Sequence, residues 1–208
     1  MNIILNRRYK EAHVGVISGP NHLKDVFSQL PDEIARHSRQ VGVITMALAN
    51  ALPTLYKQHT LEGETELHRA IMDGGNYHEL GRWAYPYSDE KSHRLTLSLL
   101  QDFKDEIWGN TAHKRVVYEM AEYQYERADG KGCKGLKEDE IPTIAALCTL
   151  SKFIDKQLGH GKRKSCKRLE NKIMKNEHKL FTAQAVFCFE KMKTHIFDLY
   201  QNKEGCAL

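Results

Sequence analysis

Two of the eleven histidines fall where helical spacing calls for apolar side chains. His37 sits between Ile34 and Val41, and Ile44 and Leu48 continue the same stripe. His78 ends an apolar pattern running through Leu67 and Ile71, and Glu79 follows it in "YHELGRWAYP". His93, in "EKSHRLTLSLL", opens a further helical segment. A lone inward-facing imidazole is more often a hydrogen-bonded core residue than a ligand. Two on separate core helices, one followed by a carboxylate, bring the metal reading level with it. Bundles build metal sites by converging such groups from neighbouring helices. The candidate ligands are therefore His37, His78, Glu79 and His93, for one divalent ion (Mn, Fe, Mg or Zn) or for none. The spacing is not the HExxH of a zinc protease.

A second feature is the glycine-rich stretch "EYQYERADGKGCKGLKEDEIP", Glu122 to Pro142. Such a loop can cradle phosphate through its backbone N–H groups. Asp129–Gly130 serves equally well as a plain turn, and on its own the loop favours the turn. Further on, residues 156–179 hold nine Lys/Arg against two acidic residues, within a chain of net charge +4. That segment is either a solvated helix face, the more ordinary case, or a surface for an anionic partner.

The elements that position these residues are helical. An acidic helix start at Pro31-Asp32-Glu33 leads to a helix ending before Pro53. Further helices are expected from about Gly63 to Leu80, Asp89 to Phe103, Ala112 to Tyr125, Pro142 to Leu158, Cys166 to Glu177 and Ala183 to Tyr200. Gly74-Gly75 inside the second of these costs helix stability but permits close helix contact. No period-two strand pattern occurs. The expectation is an all-α single compact bundle of about six to eight helices. Residues 1–30 form an N-terminal extension with a short helix, "NHLKDVFSQL"; the bundle spans 31–200, and 201–208 form a tail.

Composition narrows the function classes. With 208 residues, 41% hydrophobic and 28% charged, the chain has ordinary globular composition and length for one buried core. The longest weakly polar run, Val41 to Leu52, is too short to span a bilayer. The N-terminal residues lack the apolar core of a signal peptide, so a cytoplasmic protein without membrane association is expected. Five scattered cysteines with no CxxC exclude a disulfide framework or zinc knuckle, and Cys148 and Cys188 read as small core residues.

Four segments then occur in a familiar order: "RHSRQV" at 36–41, "HELGRWAYP" at 78–86, "SHRLTLSLL" at 92–100 and "YERADGKGCKGLKEDEIP" at 125–142. The chain resembles the HD-GYP family of the HD superfamily of metal-dependent phosphohydrolases over roughly residues 28–200. That family shows an HSxRV-like helix, HDIGKIGIP, an HPxxG-type helix start, HHERWDGxGYPxGLxGxEIP and a late metal-binding Asp. The resemblance implies an HD-type helical bundle, ligand positions at His37, His78 and His93, and Arg82 at the site of a phosphate-facing lysine.

The departures from the family frame carry the functional expectation. Gln124 and Tyr125 stand for the paired histidines, Glu79 for the Asp of HD, Cys133 and Lys134 for Tyr-Pro, and Lys152 for the late Asp. Phosphodiester hydrolysis in such a site needs cations to polarise phosphate and to activate water. An ammonium at Lys152 repels a divalent ion and can take over part of its charge role. The leading expectation is a degenerate domain inactive as a cyclic di-GMP phosphodiesterase. It would act as a binding or regulatory module for a cyclic dinucleotide or similar anionic ligand, with Arg82 and Arg127 as phosphate-binding candidates. The alternatives are a phosphohydrolase with a single-metal site at His37, His78, Glu79 and His93, and a helical scaffold for a protein partner. Nucleic acid is not an expected partner.

Overall fold

The computed structural model describes residues 22–159 and 166–201. Residues 1–21 of the extension, 160–165 of the basic segment and 202–208 of the tail lie outside the described residues. Among those described there are nine α-helices: α1 (Leu23–Ser28), α2 (Asp32–Ala49), α3 (Leu55–Gln58), α4 (Glu64–Tyr77), α5 (Asp89–Asp102), α6 (Thr111–Glu122), α7 (Thr143–Leu158), α8 (Cys166–Lys175) and α9 (Ala183–Gln201). Short 3-10 turns cover Leu80–Trp83 and Glu138–Glu140. The protein is all-α, and among the described residues pairing of strand type is confined to two isolated bridges. α1 is the short helix expected in the extension, and the bundle itself has eight α-helices among the described residues, α2 to α9.

Helix starts follow local chemistry. Asp32 and Glu33 occupy the first turn of α2 after Pro31, where carboxylates meet the positive end of the helix dipole. Ser88 caps α5 by accepting from the Lys91 amide, and Asn110 caps α6 by accepting from the His113 amide at 3.0 Å.

Two apolar clusters form the interior. The larger joins Val41, Ile44 and Leu48 of α2 to Ile71, Ile144, Leu147, Ile154 and Phe189. The smaller joins Leu23, Val26 and Leu30 to Ala35, Leu80, Trp83, Leu99, Leu100 and Val117, so the described end of the extension is packed into the body. Each such fully buried Leu or Ile contributes about 1.5–3 kcal/mol through area removed from water. Along α2 the chain passes from the smaller cluster at Ala35 to the larger at Val41, and His37 lies between. The segment after α4 makes the reverse passage, from Ile71 to Leu80, and His78–Glu79 lie between. Both histidines thus occupy the seam of the two clusters.

The crossing of α2 and α4 sets their spacing. A Cβ on Gly75 would lie 2.4 Å from the Gly42 Cα and 2.6 Å from its nitrogen. The two backbones touch there, which only a side chain no larger than hydrogen permits. His78 follows Gly75 by one helical turn, and its Nδ1 lies 2.7 Å from the Gly75 carbonyl. Among the described residues, no helix is long and apolar enough to cross a membrane.

Candidate functional site

At the seam, the rings of His37 and His78 stand 5.9 Å apart between centroids. Together with Glu79 they offer ligand-type atoms that all lie within 4.8 Å of one another. The sequence places His78 and Glu79 inside a helix, whereas α4 ends at Tyr77 and His78 is its C-cap. Ending there turns Glu79 back toward α2 and leads directly into the 3-10 turn carrying Arg82.

Each histidine is oriented by a partner on Nδ1. The Gly75 carbonyl can only accept, so the proton of His78 is on Nδ1 and Nε2 is left as a bare lone pair. Burial pushes the His78 pKa down to about 3, and Nε2 is buried without a hydrogen-bond partner. His37 Nδ1 lies 2.5 Å from Asp155 Oδ2, and the Tyr200 hydroxyl donates to the other Asp155 oxygen at 2.7 Å. Burial alone would raise the Asp155 pKa, but these hydrogen bonds more than offset it and hold the carboxyl low. Asp155 and Tyr200 are residues of the candidate site that sequence reasoning missed. The signal was present in α7, where Asp155 follows Lys152 by one helical turn.

Lys152 enters the same space from α7. Its ammonium is 3.0 Å from Glu79 Oε1, donates to the Gln124 side-chain oxygen, and lies 4.3 Å from the Tyr125 ring centroid. Gln124 cannot turn its oxygen elsewhere, because its NH2 donates to the His78 and Ala121 carbonyls at 2.6 and 2.9 Å. Burial works to neutralise both Glu79 and Lys152, yet their mutual attraction prevails. It drives the Glu79 pKa well below the carboxylate range and the Lys152 pKa up.

Arg82 forms the outer wall. It pairs with Asp89, donates to the Pro86 carbonyl at 3.0 Å and places Nε 3.7 Å from Glu79 Oε2. The cleft above measures about 380 Å³, within the roughly 300–1,000 Å³ of small-molecule sites. Its cations are Arg36, Arg82, Lys152 and Lys156, its carboxylates Glu33, Glu79, Asp89 and Asp155, and Ile34, Tyr125 and Phe153 supply apolar surface.

Two sequence candidates are placed elsewhere. His93 does not join the cluster of ligand-type atoms: its Nε2 lies 3.0 Å from the Ala121 carbonyl and its ring packs edge-on to Tyr125. Arg127 is not a cleft residue. Its guanidinium grips Asp129 two residues away, with contacts of 3.0 and 2.7 Å, because the tight turn brings that carboxylate within reach.

The glycine-rich loop is a turn. The buried Glu126 carboxylate accepts from the amides of Lys134 and Leu136 at 2.7 and 3.0 Å, and Asp129 accepts from the Lys131 amide at 3.2 Å. Three of the loop's amide donors are thus engaged by its own carboxylates. Gly130 and Gly135 adopt φ of +75° and +74°, the left-handed region that such a turn requires.

The donor set fits a divalent ion only in part. His37, His78 and Glu79 are suitable ligands, and the orphaned Nε2 of His78 is the lone pair an ion would meet. The ammonium 3.0 Å from Glu79 opposes it, so the site with Lys152 charged does not suit a divalent cation. No protein-family model matches the chain, and no curated protein matches it in sequence.

Proposed function

We propose that this protein is a degenerate HD-GYP-like domain that binds a small anionic ligand, such as a cyclic dinucleotide, in the cleft beside His37 without hydrolysing it. The observation that carries this reading is the Lys152–Glu79 contact of 3.0 Å at the centre of the residues a metal would need. With that carboxylate neutralised from within, Arg36, Arg82 and Lys156 are the cations left to meet an anion, beside the carboxylates Glu33, Asp89 and Asp155 of the same cleft. Tyr125 and Phe153 line the same cleft and give a planar base apolar surface to lie against. The resemblance in the four sequence segments supplies the ligand class.

Calorimetric titration of the purified protein with cyclic di-GMP and cyclic di-AMP tests it. Saturable binding that weakens in Arg82→Ala and Lys156→Ala supports the reading, and the absence of binding to either contradicts it.

A second reading, a phosphohydrolase with one metal at His37, His78 and Glu79, is favoured by the unpartnered Nε2 of His78. Multiple turnovers with added manganese or iron that vanish in His78→Ala would put it first. Neither binding nor turnover would leave a protein-interaction scaffold.

A further inference from the structure

The surroundings of Lys152 resemble the coordination shell of an ion more than the resting place of a surface lysine. An ammonium has three N–H donors. Here three acceptors surround it: the Glu79 carboxylate at 3.0 Å, the Gln124 amide oxygen, and the Tyr125 ring face at 4.3 Å. Two of the three are held by further contacts. Gln124 is locked by the His78 and Ala121 carbonyls, and the Tyr125 ring rests on His93. The side chain is only 16% exposed. Deeper in the same site, His37 and His78 each have Nδ1 committed to an acceptor, and His78 turns a bare, buried Nε2 inward.

We propose that Lys152 is the resident cation of this site. Its tethered ammonium occupies the electrostatic position of a divalent ion, and His37, His78 and Glu79 become a metal site only when that charge is removed. The inference does not depend on which ligand the cleft takes. A unit positive charge about 4 Å away weakens binding of a divalent ion by about 100-fold even at an effective dielectric of about 60, and by more at the lower values of a buried site. Removing it also strips Glu79 of its nearest counter-ion, leaving the Arg82 Nε at 3.7 Å, so an incoming metal would restore the balance and the stability together.

The test uses Lys152→Met, which keeps most of the length of the side chain and loses its charge. Metal-free wild type, Lys152→Met and Lys152→Met/Glu79→Gln are titrated with Co²⁺ and Zn²⁺, following heat, visible Co²⁺ absorbance and thermal unfolding. The expected result is substoichiometric uptake by wild type. Lys152→Met should bind close to one equivalent, about 100-fold tighter or better, with Tm rising by several degrees on metal addition. The double variant should fold and show neither effect. If Lys152→Met is unfolded without metal, Co²⁺ is expected to fold it. Stoichiometric binding by wild type overturns the proposal. So does a folded Lys152→Met that binds no tighter than wild type, or an unfolded one that metal fails to rescue.

Discussion

Lys152 and Glu79, 73 residues apart in sequence, meet at 3.0 Å between the two apolar clusters of the protein. The contact ties α7 to the end of α4, and each partner makes the burial of the other tolerable. Breaking a buried pair from one side leaves an uncompensated charge, which typically costs about 3–5 kcal/mol. Lys152→Met in the absence of metal is therefore expected to lower stability by that order in urea unfolding. Lys152→Met/Glu79→Gln is expected to recover most of it. A single variant as stable as wild type would show that the pair carries no weight.

The α2–α4 crossing gives a second expectation. Gly75→Ala drives a Cβ into the Gly42 backbone, which has no rotamer with which to move aside. Overpacking of this kind costs about 1–3 kcal/mol and here also pushes His78 away from His37. Gly42→Ala meets the Met72 sulfur at 3.3 Å, a flexible neighbour, and is expected to cost less. Paired denaturation curves check the ranking, and equal effects would mean that the helices can separate freely.

How much of this was legible in the sequence depends on distance along the chain. The helices were readable because apolar residues recur at steps of three and four, as in Ile34, Val41, Ile44 and Leu48. His37 and His78 stood out as polar interruptions of those stripes. The contacts of Lys152 with Glu79, and of Asp155 with Tyr200, join segments far apart in sequence and leave no local periodicity. Asp155 was hidden for a further reason: a carboxylate near a helix end looks like solvent-facing charge until His37 is placed opposite. Arg127 misled in the other direction, since an arginine in a glycine-rich loop suggests phosphate until the turn closes it onto Asp129.

Tyr200 donates to Asp155 from the last turn of α9, and Asp155 in turn orients His37. Tyr200→Phe removes one hydrogen bond to a buried carboxylate, a loss of about 1.5–3 kcal/mol for a charged acceptor. The Nδ1 signal of His37 is expected to shift in nitrogen-detected NMR as its partner loosens. An unchanged signal would show that Asp155 is held by other contacts alone.

Acid sensitivity should come partly from His59, which is 6% exposed and whose pKa is pushed down to about 4 by burial and by the Arg115 charge. As pH falls from about 6.5 the unfolded chain takes up this proton first, so stability declines until about pH 4, where the folded form protonates too. The loss attributable to this residue is about 2–3 kcal/mol across that window. His59→Gln is expected to flatten the decline in stability between pH 6.5 and 4, and an unaltered pH profile would remove His59 as its source.

On the proposed reading, the cleft binds an anionic ligand without hydrolysing it, because the Lys152 ammonium pairs with a carboxylate that a metal would need. The most direct measurement is product formation from cyclic di-GMP by purified wild-type protein, with manganese, iron, magnesium or zinc supplied in turn, alongside a binding titration of the same preparation. Saturable binding with no product above background is the predicted result. Metal-dependent multiple turnover that disappears in His78→Ala would contradict it.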